Sequence, residues 1–169
     1  TTEAFVELED VHIEGTRFPG GAYEHAEGLS VMLSSQAAAQ RVALSGNVGA
    51  GAVVTSGSSL RLEDVTVSDT IARNDAIRDG YGLHATDGGE LIVMRGEVEG
   101  SRVCAALGEL EATVSLEDVV LRDTESIVSS AEIGGGFCLV AGASAVLRRA
   151  LLENNYLTGV LVRDAGSIL

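Results

Sequence analysis

Leu8-Glu9-Asp10-Val11 recurs as Leu62-Glu63-Asp64-Val65 and again as Leu116-Glu117-Asp118-Val119. The spacing is 54 residues both times, without slippage. A period held that strictly describes an array in which each unit stacks on the one before.

The period divides further. Gly28, Gly51, Gly82, Ala105, Gly136 and Gly159 form a series whose steps alternate between 23 and 31 residues. Each opens a short apolar stretch, such as Ala52-Val53-Val54 or Phe137-Cys138-Leu139. A second series alternates through Val11 and Ile13, Val42 and Leu44, Val65 and Val67, and onward to Ala150 and Leu152. A third runs from Val6 and Leu8 through Leu60 and Leu62 to Ala145 and Leu147. Apolar residues recurring at every second position, with Gly punctuation, signal strands and not helices.

Three short strands per coil, each stacked on its equivalent about 4.8 Å away, describe a parallel β-helix. Parallel crossovers are nearly always right-handed. The expected fold is therefore all-β: a right-handed parallel β-helix of about six coils in three 54-residue double-coil repeats. It forms a single domain over residues 1–169, expected to be a segment of a longer solenoid. The Gly series is expected to mark backbone conformations that a Cβ would oppose.

Two stretches carry a family resemblance. Ser59-Leu60-Arg61-Leu62-Glu63-Asp64-Val65-Thr66-Val67-Ser68-Asp69-Thr70 and Val146-Leu147-Arg148-Arg149-Ala150-Leu151-Leu152-Glu153-Asn154-Asn155 resemble the repeats of right-handed parallel β-helix proteins of the pectate-lyase-like superfamily. The likeness spans essentially the whole chain. It implies the fold, and a secreted or cell-surface place in a bacterium. It does not select one function, because that superfamily includes lyases, glycosidases, adhesins and inert stalks.

Composition narrows the partners. All 11 basic residues are Arg; with 25 acids the formal charge is −14. No basic face can be assembled, so nucleic-acid binding is disfavoured. No apolar run is long enough for membrane insertion as a helix. Two cysteines, Cys104 and Cys138, allow one bridge at most. In the coil register Cys104 stacks beneath Gly135, three residues from Cys138. Along a straight strand that is about 10 Å, beyond disulfide reach, so two free thiols are expected.

Outward columns follow from the same register. Asp10, Arg41, Asp64, Arg95, Asp118 and Arg149 share one corner and alternate in sign, which predicts a surface salt-bridge ladder. Thr16, Asn47, Thr70, Ser101, Thr124 and Asn155 share another corner and predict a polar ladder. Ser30, Val53, His84, Leu107, Cys138 and Leu161 form a mostly apolar outward column, read as a contact surface, covered either by the loops themselves or by another chain.

The extra length of each long coil falls at one corner, between Thr16 and Gly28, Thr70 and Gly82, and Thr124 and Gly136. Divergent loops over a repeating scaffold are where binding residues usually sit. The candidate binding residues are Tyr23, Glu24 and His25 in the first loop. Arg73, Asp75, Arg78, Asp79 and Tyr81 follow in the second, with His84 just beyond. Mixed charges there could act as acid and base, but a solvated loop is the simpler reading. No metal-ligand spacing, cofactor motif or catalytic triad is legible.

The expectation is a non-catalytic structural or interaction module of a bacterial secreted or cell-surface protein. Its expected partners are another copy of itself or a carbohydrate or protein ligand. The alternative is a carbohydrate-active enzyme of the polysaccharide lyase or glycosidase type, with its site on the loop-bearing edge. Scarce aromatics (4%) favour the first.

Overall fold

The computed structural model describes residues 4–17, 26–72, 79–125, 135–164 and 166–169. Fourteen strands and no helix occur among them. In chain order the first seven are β1 Phe5–Glu9, β2 His12–Glu14, β3 Leu29–Val31, β4 Gln36–Ser45, β5 Ala50–Val54, β6 Ser59–Ser68 and β7 Tyr81–Ala85. Then come β8 Glu90–Glu99, β9 Cys104–Gly108, β10 Thr113–Arg122, β11 Gly135–Leu139, β12 Ser144–Arg148, β13 Leu151–Glu153 and β14 Thr158–Val162.

They form two parallel sheets. The first is ordered β1-β4-β6-β8-β10-β12, with β2 beside β4 and β13 beside β10. The second is ordered β14-β11-β9-β7-β5-β3. Every pairing keeps the register read from the sequence: Leu60 lies against Ala37 and Leu91, and Val53 against Ser30 and His84.

The second and third strand series merge into one ten-residue strand wherever the sheet is flanked on both sides. The ladder skips Arg41, Asp64, Arg95 and Asp118, and each has positive φ, between 53° and 58°. The chain therefore bends at the charged corner without leaving the sheet. Asp tolerates this left-handed conformation because its short polar side chain bonds locally.

Inside, the alternation holds. Leu60, Leu62, Val65 and Val67 of β6 are buried, as are Leu91, Val93 and Val98 of β8. The second sheet closes the core from the other side through Val54, Leu83, Ala106, Phe137 and Leu139. Four-residue turns lead from the second sheet into the first. In each, an N–H bonds the carbonyl three residues back: Ser58 to Thr55, Gly89 to Thr86, Ala112 to Glu109 and Ala143 to Val140. Both central residues have positive φ, as in a type I′ turn.

The Gly series has a different cause from the one expected. Gly51 and Gly82 do not have positive φ. A Cβ on Gly51 would lie 2.4 Å from Val67 Cγ1, and one on Gly82 2.2 Å from Val98 Cγ1. These glycines let the second sheet press against the first where the two meet.

Candidate functional site

Sequence expectation placed the site on the loop-bearing edge. Tyr23, Glu24, His25, Arg73, Asp75 and Arg78 lie outside the described residues, as do most of the three long loops. Asp79 is buried and ends the second loop. Tyr81 and His84 stand on β7, where their rings meet at a centroid distance of 4.8 Å and a tilt of 47°.

His84 points outward from the second sheet because Leu83 and Ala85 on either side point into the core. Its Nε2 lies 3.0 Å from Glu109 Oε1, just past the end of β9. Thr86 Oγ1 donates to the same oxygen at 3.5 Å. The His84 contact holds the Glu109 carboxyl below the usual carboxylate range, against the opposing effect of burial. Glu109 was not among the expected residues. The register could have found it: Leu107 stacks on His84, and Glu109 is the next outward position along that strand.

Around this pair lies the outer face of the second sheet. The column Ser30, Val53, His84, Leu107, Cys138 and Leu161 stacks in register. Its centre is buried, while Ser30 at one end is exposed. Leu107 is 5% exposed and Cys138 1%. With Val103 and Cys104 they form a second apolar cluster, flanked by Tyr81, Val140 and Leu161.

The cysteines are not free. Cys104 and Cys138 form a disulfide with Cα atoms 6.3 Å apart. Cys104 does pair with Gly135, as the register required. The ladder then skips Ala105 and Gly136, so the strands bend there and three residues span less than a straight strand would. Gly135 has no side chain, and Cys138 Sγ lies 3.0 Å from where its Cβ would be. An unbent strand would hold these positions about 10 Å apart; the bend brings them within disulfide reach.

A cavity opens over this cluster. Its floor is Leu107, Leu161, Val140 and the Cys104–Cys138 bridge, and Tyr81 is one wall. Glu109 and Arg163 supply its charged groups, of opposite sign. Arg163 stands half exposed, its Nε 3.7 Å from Asp164.

The charged corner lies on the other sheet and is a set of closed pairs. Arg41 bonds Asp10 at 2.5 Å, Arg95 bonds Asp64 at 2.7 Å and Arg149 bonds Asp118 at 2.6 Å. Each Arg also reaches the preceding Glu: Glu9, Glu63 or Glu117. Among the described residues no ion pair joins Arg41 to Asp64 or Arg95 to Asp118. The expected continuous ladder is thus three separate clamps, each tying a 31-residue step. The Arg hydrogen bond holds each Asp carboxyl below its usual range.

The polar column is likewise discontinuous. Asn47 accepts from the Thr16 N–H and donates to the Ile13 carbonyl; Asn155 accepts from Thr124 and donates to the Leu121 carbonyl. In the middle repeat Thr70 Oγ1 and Ser101 Oγ are buried without a partner. Ser101 is too short to reach what Asn reaches.

Among the described residues no group of three His, Cys, Asp or Glu side chains is arranged to hold a metal ion. Comparison with known proteins gives no match: no family model, no curated protein and no solved structure is similar to the chain.

Proposed function

We propose that the chain is a right-handed parallel β-helix of six coils, akin to the pectate-lyase-like superfamily, serving as a non-catalytic structural or interaction module. The observation that carries this reading is the parallel register, kept at alternating 23- and 31-residue steps through both sheets. Such regularity devotes the chain to a scaffold, with binding left to what projects from it. The disulfide supports a secreted or cell-surface location, since such bonds persist in oxidising compartments.

The enzymatic alternative draws on the His84–Glu109 pair, which could move a proton. Glycoside hydrolysis usually needs two carboxylates flanking the scissile bond. Among the described residues lining the cavity, Glu109 is the one carboxylate. A screen of acidic and neutral polysaccharides, with and without calcium, separates the two readings. Retention without product formation fits the module. Release of unsaturated or reducing ends, lost in His84→Ala, would establish the enzyme instead.

A further inference from the structure

We propose that the cavity on the outer face of the second sheet binds a small zwitterion with an aliphatic body, the pattern an apolar α-amino acid presents. The inference goes beyond the module reading and stands on the cavity's own chemistry. Two groups in it are left with bonding capacity. Glu109 receives both His84 and Thr86 on Oε1, and its Oε2 accepts no hydrogen bond among the described residues. Arg163 faces Asp164 at 3.7 Å, beyond hydrogen-bond distance, and its guanidinium makes no hydrogen bond among the described residues.

The two sit on one column. The Glu109 N–H bonds Ala85, the Val140 N–H bonds Gly108 and the Arg163 N–H bonds Leu139, so the three residues follow one another across adjacent strands. Glu109 and Arg163 are then two strand spacings apart, roughly 10 Å between Cα atoms. Val140 lies between them and is short, so the two longer side chains can converge above it. An ammonium group fits the free Glu109 oxygen, and a carboxylate fits the Arg163 fork. The aliphatic body rests on Leu107, Leu161 and the disulfide, an apolar floor with few polar groups to fix orientation.

Net charge selects among ligands. A chain at −14 repels a simple anion over long range. A simple cation gives Arg163 nothing beyond its long ion pair with Asp164. A zwitterion carries no net charge and answers both groups.

The test uses three probes with nearly the same carbon body: leucine, 4-methylpentanoate without the ammonium, and 3-methylbutylamine without the carboxylate. Titrations with the oxidised protein are read by calorimetry or ligand-observed NMR. Leucine should bind at least about tenfold more tightly than either single ion, the scale of one charge-assisted hydrogen bond. Arg163→Gln should cost leucine about that factor and leave the amine unchanged. Glu109→Gln should cost leucine likewise and leave 4-methylpentanoate unchanged. Both side chains are partly exposed, so the variants should fold, as an unchanged melting temperature would verify. Equal affinity for leucine and either single ion would overturn the proposal, as would no binding of leucine at 50 mM, roughly the weakest affinity such a contact set could give. Neither result touches the module reading, which the polysaccharide screen tests separately.

Discussion

The outer faces of the two sheets come from the same repeat but meet their surroundings differently. On the first sheet the outward residues of β6 and β10 alternate with buried ones, and Arg–Asp clamps line the corner. On the second, β5, β9 and β11 are buried along their whole length. One face therefore fixes register against water. The other is a second core with a disulfide through it and a cavity over it. Among the described residues, the His84–Glu109 pair and the apolar cavity floor lie on the second.

The largest effect expected is at the core the two faces share. Val65→Asp puts a charge at a position 2% exposed and should cost about 3 kcal/mol or more. An unchanged denaturation midpoint would mean that β6 presents its other side.

The contrast between the faces is tested by a matched pair. Leu107→Gln, on the outside of the second sheet, should cost about 2–4 kcal/mol, while Thr66→Gln, on the outside of the first beside Glu97, should stay within about 1 kcal/mol. Equal costs in urea melts would erase the distinction. Replacing both cysteines by Ser should lower stability by about 2–4 kcal/mol, since the bridge closes a sequence separation of 34 residues. A double variant as stable as the parent would show that the second face holds without it.

A smaller effect is expected where the sheets meet. Ser101→Asn should stabilise by about 1 kcal/mol, giving the middle repeat the Asn found at 47 and 155. Asn there can accept from Thr70 and donate to the Val67 carbonyl, and Gly82 leaves the space that Gly28 and Gly136 leave beside their Asn. A loss of stability would show that the middle repeat is spaced differently from its neighbours.

The smallest effect belongs to the clamps. Asp10, Asp64 and Asp118 have folded-state carboxyls below their ordinary value. A depressed carboxyl contributes stability that is fully present above about pH 4 and is lost as pH falls through the folded value. The triple Asp→Asn variant should therefore lower the melting temperature slightly at pH 7 and converge with the parent at acid pH, which flattens the acid limb. An unaltered acid limb would mean that the pairs contribute nothing measurable to stability.

The 54-residue period was enough to read the strand pairings, the inward residues and the corner charges, because side-chain alternation and stacking are encoded residue by residue. What the period could not show is where strands bend. Arg41 and Arg95 carry no local signal for a left-handed turn, so the merging of two strand series was invisible. The bend at Ala105 and Gly136 was equally silent, and with it the Cys104–Cys138 bridge. Glycines such as Gly82 look alike whether they supply a conformation or simply the absence of a Cβ. Of the candidate site, Tyr81 and His84 were found as isolated outward residues. Glu109 and Arg163 were missed, because nothing in their own segments distinguishes them from other surface charges. Only the stacking of strands brings them beside the cavity.

The bent-strand register of the second sheet is tested most directly by counting thiols in the unreduced protein after denaturation, with non-reducing peptide mapping of the product. No titratable thiol and one peptide pair joining Cys104 to Cys138 is the predicted result. Two free thiols per chain in protein made in an oxidising compartment would contradict it, and would return the two cysteines to a straight strand beyond each other's reach.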